Sequence, residues 1–181
     1  PSTTSWRARV LARVRRAAFV TAQGVGVAMR SAVPGVGEWE LEATLEAAFR
    51  KAGADGPGYL SIVASGPNAC VLHYVENSRR AEGRDLVLID AGAAVDFYSG
   101  DITRTFPVSG TFAPEQGAVY DVVESARARA VEAVRPGATV ADVHAETLTA
   151  LTEGLVSLGV LEGSVSELIE QKKYEPYYPH K

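Results

Sequence analysis

The sequence predicts an α+β fold, with helices and strands gathered in separate blocks. Three observations predict it. Apolar residues recur at helical spacing in two stretches before residue 52. Short β-rich runs fill residues 59 to 108, and two further helical stretches with start and stop signals follow Pro114. Helices and strands that alternate along a chain favour a parallel α/β sheet, whereas this block order favours α+β.

The first helix is expected from Trp6, Val10, Val14, Ala17, Thr21 and Val25, which fall on one face with the arginines mostly elsewhere. Pro34-Gly35-Val36-Gly37 breaks it. A second helix spans Glu38 to Lys51: its acids cluster at the start and Arg50-Lys51 at the end, the order that suits the helix dipole, and Gly53 stops it. Leu41, Leu45, Ala48 and Phe49 form its apolar stripe. Strands are then expected at Tyr59–Ala64 and Cys70–Val75, separated by the turn residues Ser65-Gly66-Pro67-Asn68. Leu86–Ile89 and Ile102–Val108 read as a long hairpin with a bend near Asp96-Phe97.

Pro114 suits the first position of a third helix, whose buried stripe is expected at Val119, Val122, Val123, Ala126 and Ala130. Thr139 with Asp142 has capping-box spacing ahead of a fourth helix, which carries Val143, Leu148, Leu151, Leu155 and Leu158 and stops at Gly159. Ser164 with Glu167 repeats that spacing before a short fifth helix. The aromatic, proline-rich stretch Tyr174–Lys181 has no cap and no polar tail, and does not read as a natural terminus.

Composition bounds the function. A chain of 181 residues is close to the roughly 150 of one domain. With 46% hydrophobic and 22% charged residues it matches an ordinary globular protein and excludes low-complexity disorder. No apolar run approaches the roughly 20 residues of a membrane span. The single cysteine, Cys70, makes neither an internal disulfide nor a thiolate metal site alone, so a reducing compartment is compatible and a cytoplasmic location is the expectation. Residues 1–37 hold six arginines and no acid, leaving 12 basic against 22 acidic side chains in the remainder. Such a basic front also describes a transit peptide or a surface for nucleic acid or anionic lipid. Its apolar periodicity favours a helix docked on a core, and neither a nucleic-acid nor a membrane partner is expected.

The residues with most chemical content are two aspartates beside apolar strand residues. Asp90 ends Leu86-Val87-Leu88-Ile89, and Asp101 precedes Ile102. Burying an ionised acid without a partner costs several kcal/mol. A hairpin turning near residues 95 and 96 sets the two acids about opposite one another, where like charges repel unless a cation lies between them. A pair of divalent ions suits two bridging carboxylates. The alternatives are turn chemistry at Asp90-Ala91-Gly92 and Gly100-Asp101, or neutralisation by Arg104. His73, in Cys70-Val71-Leu72-His73-Tyr74, is a second candidate, although a lone strand histidine is more often a satisfied structural residue than a catalytic one. Gly24-x-Gly26 lacks the preceding strand and third glycine of a dinucleotide fingerprint.

Taken together, Ser61–Tyr74, Asp85–Gly92 and Gly100–Val108 resemble the catalytic domain of the Xaa-Pro aminopeptidases (aminopeptidase P), pita-bread metallopeptidases related to prolidase and methionine aminopeptidase. The resemblance implies a partial pita-bread fold, an antiparallel-rich curved sheet with helices packed on one face. It also implies two divalent metal ions, usually Mn2+, with Asp90 and Asp101 as the first two carboxylate ligands. His73 matches a histidine beside the substrate that stabilises or protonates the tetrahedral intermediate, and His180 matches a histidine of the active-site wall. The implied substrate is a peptide with proline at its second position.

The family's remaining ligands, a histidine and two glutamates, lie beyond the position of Lys181. Residues 1–181 are therefore expected to form one partial catalytic domain with weak metal affinity and little activity alone. A second copy, or a fragment supplying the C-terminal part, is the expected protein partner. Prolidase chemistry and a non-catalytic binding module are the competing readings. Thr103 and Arg104 are expected to orient or balance Asp101.

Overall fold

The computed structural model describes residues 3–178. It divides into two compact units, Pro1–Thr111 and Phe112–Lys181. His180 lies outside the described residues.

The first unit opens with α1 (Thr3–Ser31) and α2 (Glu38–Lys51). Only the second half of the α1 stripe is buried: Ala17, Val20, Thr21, Val25 and Ala28 are core, whereas Trp6 and Val14 are exposed. The helices meet where Gly24 leaves room for the Phe49 ring, which a Cβ at that position would overlap. Leu41, Leu45 and Phe49 are buried as expected. Each such side chain contributes about 1.5–3 kcal/mol by leaving water. Glu40 accepts the Gly37 N–H at 2.6 Å, closing the start of α2, and Gly53 takes the left-handed conformation just past its end.

Six strands follow: β1 (Gly56–Pro57), β2 (Ile62–Ser65), β3 (Leu86–Ala91), β4 (Ala93–Val95), β5 (Tyr98–Ser99) and β6 (Ile102–Pro107). They form two antiparallel sheets, in the orders β1-β4-β5 and β2-β3-β6. One hairpin feeds both sheets. Its register is continuous from Leu86↔Pro107 through Ala91↔Ile102 to Val95↔Tyr98, and its two-residue turn is Asp96-Phe97, both left-handed as a type I′ turn requires. The Thr21 hydroxyl donates to the Ala17 carbonyl and accepts the Ala93 N–H at 2.8 Å, fastening α1 to the hairpin where it changes sheets.

Strand alternation sorts the side chains of β3. Val87, Ile89 and Ala91 join the helix-side core with Val20, Leu45, Phe49 and Phe106. The opposite face carries a smaller cluster of Ile62, Ala64 and Tyr74 with Leu88 beside it. On the far side of β2 from β3, Asn77 stands in for a strand partner: its side chain accepts the Val63 N–H and donates to the Ser61 carbonyl, both at 2.9 Å.

Two strand expectations are corrected. Tyr59–Ala64 becomes β2 at Ile62–Ser65, because Gly56-Pro57 pairs with β4 in the other sheet and Tyr59-Leu60 crosses between them. Cys70–Val75 is not a strand. Gly66–Cys70 is a 3-10 turn with Pro67 near its start, and His73 is left-handed with φ 54°. Asn68 and Tyr74 turn their side chains inward to Glu38, so hydrogen bonding there replaces a ladder.

The second unit contains α3 (Pro114–Ala133), α4 (Val140–Ser157) and α5 (Val165–Glu170). Thr139 and Asp142 make the reciprocal cap, and Ser164 caps α5 through Glu167. α3 and α4 touch closely where Gly154 admits Val122. The expected α3 stripe is only partly inward: Ala126 is buried, whereas Val119 and Val123 are exposed in this unit.

Candidate metal centre on the hairpin

Asp90 is the last but one residue of β3, and Asp101 immediately precedes β6. The register sets Asp90 opposite Thr103, not opposite Asp101. Continuing the same register puts Gly92 across from Asp101, so the two carboxylates are diagonal neighbours on the face turned away from the helices. The turn at Asp96-Phe97, one residue later than a bend at 95 and 96, causes this shift. Both acids stay on one face because residues two apart along a strand share a side.

Tyr59 lies across this diagonal. Its hydroxyl donates to Oδ1 of Asp90 at 2.6 Å and lies 3.1 Å from Oδ1 of Asp101. The ring has room because residue 92 is glycine: a Cβ there would lie 2.7 Å from the Tyr59 ring and would collide with the Gly100 carbonyl. Burial, the hydrogen bond and charge of Asp90, and then Asp101 push the Tyr59 phenol far above its ordinary range, so it remains a neutral donor. Nothing but residue type distinguishes Tyr59 in the sequence, and its partnership was not foreseen.

Neither aspartate forms an ion pair among the described residues. Arg104 does not neutralise them. It is three residues from Asp101, hence on the other face, and donates to the Thr103 carbonyl at 2.7 Å. Thr103 shares the carboxylate face but stands across from Asp90, so the expected support of Asp101 by Thr103 and Arg104 is not what the strands deliver. Oxygen donors without a basic partner are the donor chemistry of hard divalent cations. Among the described residues no group of three or more His, Cys, Asp or Glu completes a metal cage.

His73 occupies a different segment, the exposed turn after β2. That segment is fastened to Glu38, a buried acid at the start of α2. Glu38 accepts hydrogen bonds from the Ser65 N–H and hydroxyl, the Tyr74 hydroxyl and the Arg79 N–H at 2.6 to 2.8 Å. Burial raises its pKa, but these donors outweigh burial and hold it below the usual carboxylate value. Arg79 also bridges to Asp85 and to the Ser65 hydroxyl.

Comparison with known proteins places the chain in a family and a fold. The Xaa-Pro aminopeptidase of Haemophilus influenzae is 44% identical over 92% of the chain, and that of Escherichia coli K12 is 42% identical over 94%. The chain spans 38–39% of the length of these relatives. Among solved structures, Pseudomonas aeruginosa aminopeptidase PepP superposes over 92% of the chain, and 38% of its own, with a TM-score of 0.90 and 48% identity. A variant of Escherichia coli aminopeptidase P in complex with substrate matches the same shares with a TM-score of 0.89 and 43% identity. The α+β arrangement is thus part of the pita-bread fold. Residues 12–181 match the model of metallopeptidase family M24, and the chain belongs to that family.

Proposed function

We propose that this chain supplies the first carboxylates and the substrate histidine of a metal-dependent Xaa-Pro aminopeptidase, which releases an N-terminal residue that precedes proline. Supporting this reading is the Asp90–Tyr59–Asp101 arrangement: two acids on one strand face, held by a neutral phenol and left without a basic partner. In this reading Asp90 and Asp101 hold two divalent ions, manganese by family resemblance, beside a cytoplasmic peptide substrate. When bound, the ions supply a water of lowered pKa and polarise the scissile carbonyl.

The residues of the chain do the rest. Asp90 and Asp101 offer oxygens from the two arms of one hairpin, whose register is the same on both sides of the unpaired Gly92 and Asp101 and fixes their spacing. Tyr59 orients one oxygen of each. His73 stabilises the charge that develops on the carbonyl oxygen or passes a proton to it, and His180 keeps the active-site-wall role that the family resemblance implies. Residues 1–181 act as one part of the catalytic domain, completed by C-terminal ligands supplied in the same polypeptide or by a complementing fragment.

The test is metal-dependent cleavage of an Xaa-Pro peptide by a full-length family architecture carrying this segment, compared with its Asp90→Ala and Asp101→Ala variants. Cleavage is expected to fall to background in both. Wild-type turnover in either variant overturns the assignment. Relative rates on an Xaa-Pro dipeptide and a longer peptide separate dipeptidase from aminopeptidase action.

A further inference from the structure

An acid in the first turn of a helix is ordinarily solvated and complements the dipole from the surface. Glu38 is instead 1% exposed. The donors around its carboxylate all come from one segment, residues 65–79. Oε1 accepts the Ser65 N–H, the Ser65 hydroxyl and the Asn68 amide at 2.6, 2.7 and 3.2 Å. Oε2 accepts the Tyr74 hydroxyl and the Arg79 N–H, each at 2.8 Å. The Tyr74 oxygen in turn accepts from the Asn68 amide at 2.8 Å and the Ser78 N–H at 3.0 Å. The beginning, middle and end of the segment therefore converge on one side chain.

Apart from Tyr74, which packs with Ile62 and Ala64, little apolar burial holds this segment in place. Val71, Leu72 and Val75 are 55%, 61% and 41% exposed. His73 lies among them in the left-handed region, one peptide bond from the buried Tyr74 anchor and five residues past Asn68. A non-glycine residue persists there only when its surroundings over-determine it. The hydrogen bonds to Glu38 on both sides of His73 are part of those surroundings.

The geometry points to Glu38 as the positioning residue for His73, acting through Asn68 and Tyr74; this rests on the catalytic reading of His73 given above. The role requires an acceptor on both sides of the carboxylate. A glutamine presents its NH2 group to donors in either flip, because Oε1 and Oε2 are both fully occupied by donors. Aspartate keeps both acceptors but is one methylene short.

Hydrogen exchange across this chain tests the proposal in wild type, Glu38→Gln, Glu38→Asp and Leu45→Ala. Leu45→Ala opens the same core without touching the network. The His73 imidazole NMR signal, assigned by its loss in His73→Asn, is followed in parallel. Glu38→Gln is expected to speed exchange of residues 65–79 about tenfold or more over strand 86–91 and to move the His73 signal. Glu38→Asp is expected to restore part of both, and Leu45→Ala to leave the His73 signal in place.

Exchange of 65–79 unchanged in Glu38→Gln, or raised only in step with the strands, overturns the proposal. If Glu38→Gln does not fold, Glu38→Asp is read by the same criterion, with about a threefold expected change. Undiminished peptide cleavage by a full-length His73→Ala protein strikes instead at the catalytic reading of His73, and with it any catalytic purpose for the positioning, while the exchange result stands.

Discussion

The Tyr59 hydroxyl donates to Asp90 across 2.6 Å, joining the crossing between the two sheets to the last turnward residues of β3. Burial and the neighbouring carboxylates keep the phenol protonated. Because the folded pKa is raised, the stabilisation is fully present below the unfolded value of 10.0 and is lost as pH climbs toward the folded one. Asp90→Asn is expected to bring this ionisation down toward the ordinary phenol range in an alkaline ultraviolet titration. Tyr59→Phe is expected to remove the late-titrating group altogether. A late group that persists in Tyr59→Phe rules out the assignment.

Glu38 predicts an acid limb of the opposite sign. Its folded pKa lies below the unfolded value of 4.5, so its stabilisation is present above that value and declines as pH falls through the folded one. Removing the carboxylate leaves buried donors unmet at about 1–3 kcal/mol each. Glu38→Ala is expected to lose at least about 3 kcal/mol at neutral pH and to show a shallower acid decline than wild type in urea midpoints. Parallel acid limbs in the two proteins contradict this.

Gly92→Ala tests the close approach beneath Tyr59. The added Cβ meets the Gly100 carbonyl, which is backbone and cannot rotate away. Overpacking of this kind costs about 1–3 kcal/mol or more. A lower melting temperature is expected together with weaker divalent-cation binding by calorimetry. Gly24→Ala, which strikes the Phe49 ring in the other layer, should lower the melting temperature without the second effect.

Asn77→Ala removes the side chain that satisfies the outer edge of β2. The freed Val63 N–H and Ser61 carbonyl predict a loss of about 1–3 kcal/mol, measured as a lower urea midpoint with an unchanged slope. Faster amide exchange at Val63 should accompany it. An unaltered midpoint shows that solvent replaces Asn77 at no cost.

Periodic and capped elements were legible because their signals are local. The bounds of α2, the Thr139–Asp142 cap and the Asp96-Phe97 turn all follow from neighbouring residues. The two aspartates stood out because acids interrupt apolar strands, and their shared face follows from strand parity. The segment around His73 was misread as a strand, since its apolar residues imitate one while its fold depends on Glu38, about 30 positions earlier. Tyr59 was missed for the same reason: its partners are 31 and 42 residues away. The outward halves of the α1 and α3 stripes show that apolar spacing reveals which face is greasy, not how far along the helix a neighbour covers it.

The single register shared by the two ladders between Leu86 and Pro107 bears on how this family can vary. Because side chains flip sides with each step, a single residue gained or lost within either strand between Asp90 and Asp101 would send one acid toward the α1–α2 side. Length changes in the strands should therefore be tolerated in twos, whereas the hairpin tip can absorb single ones.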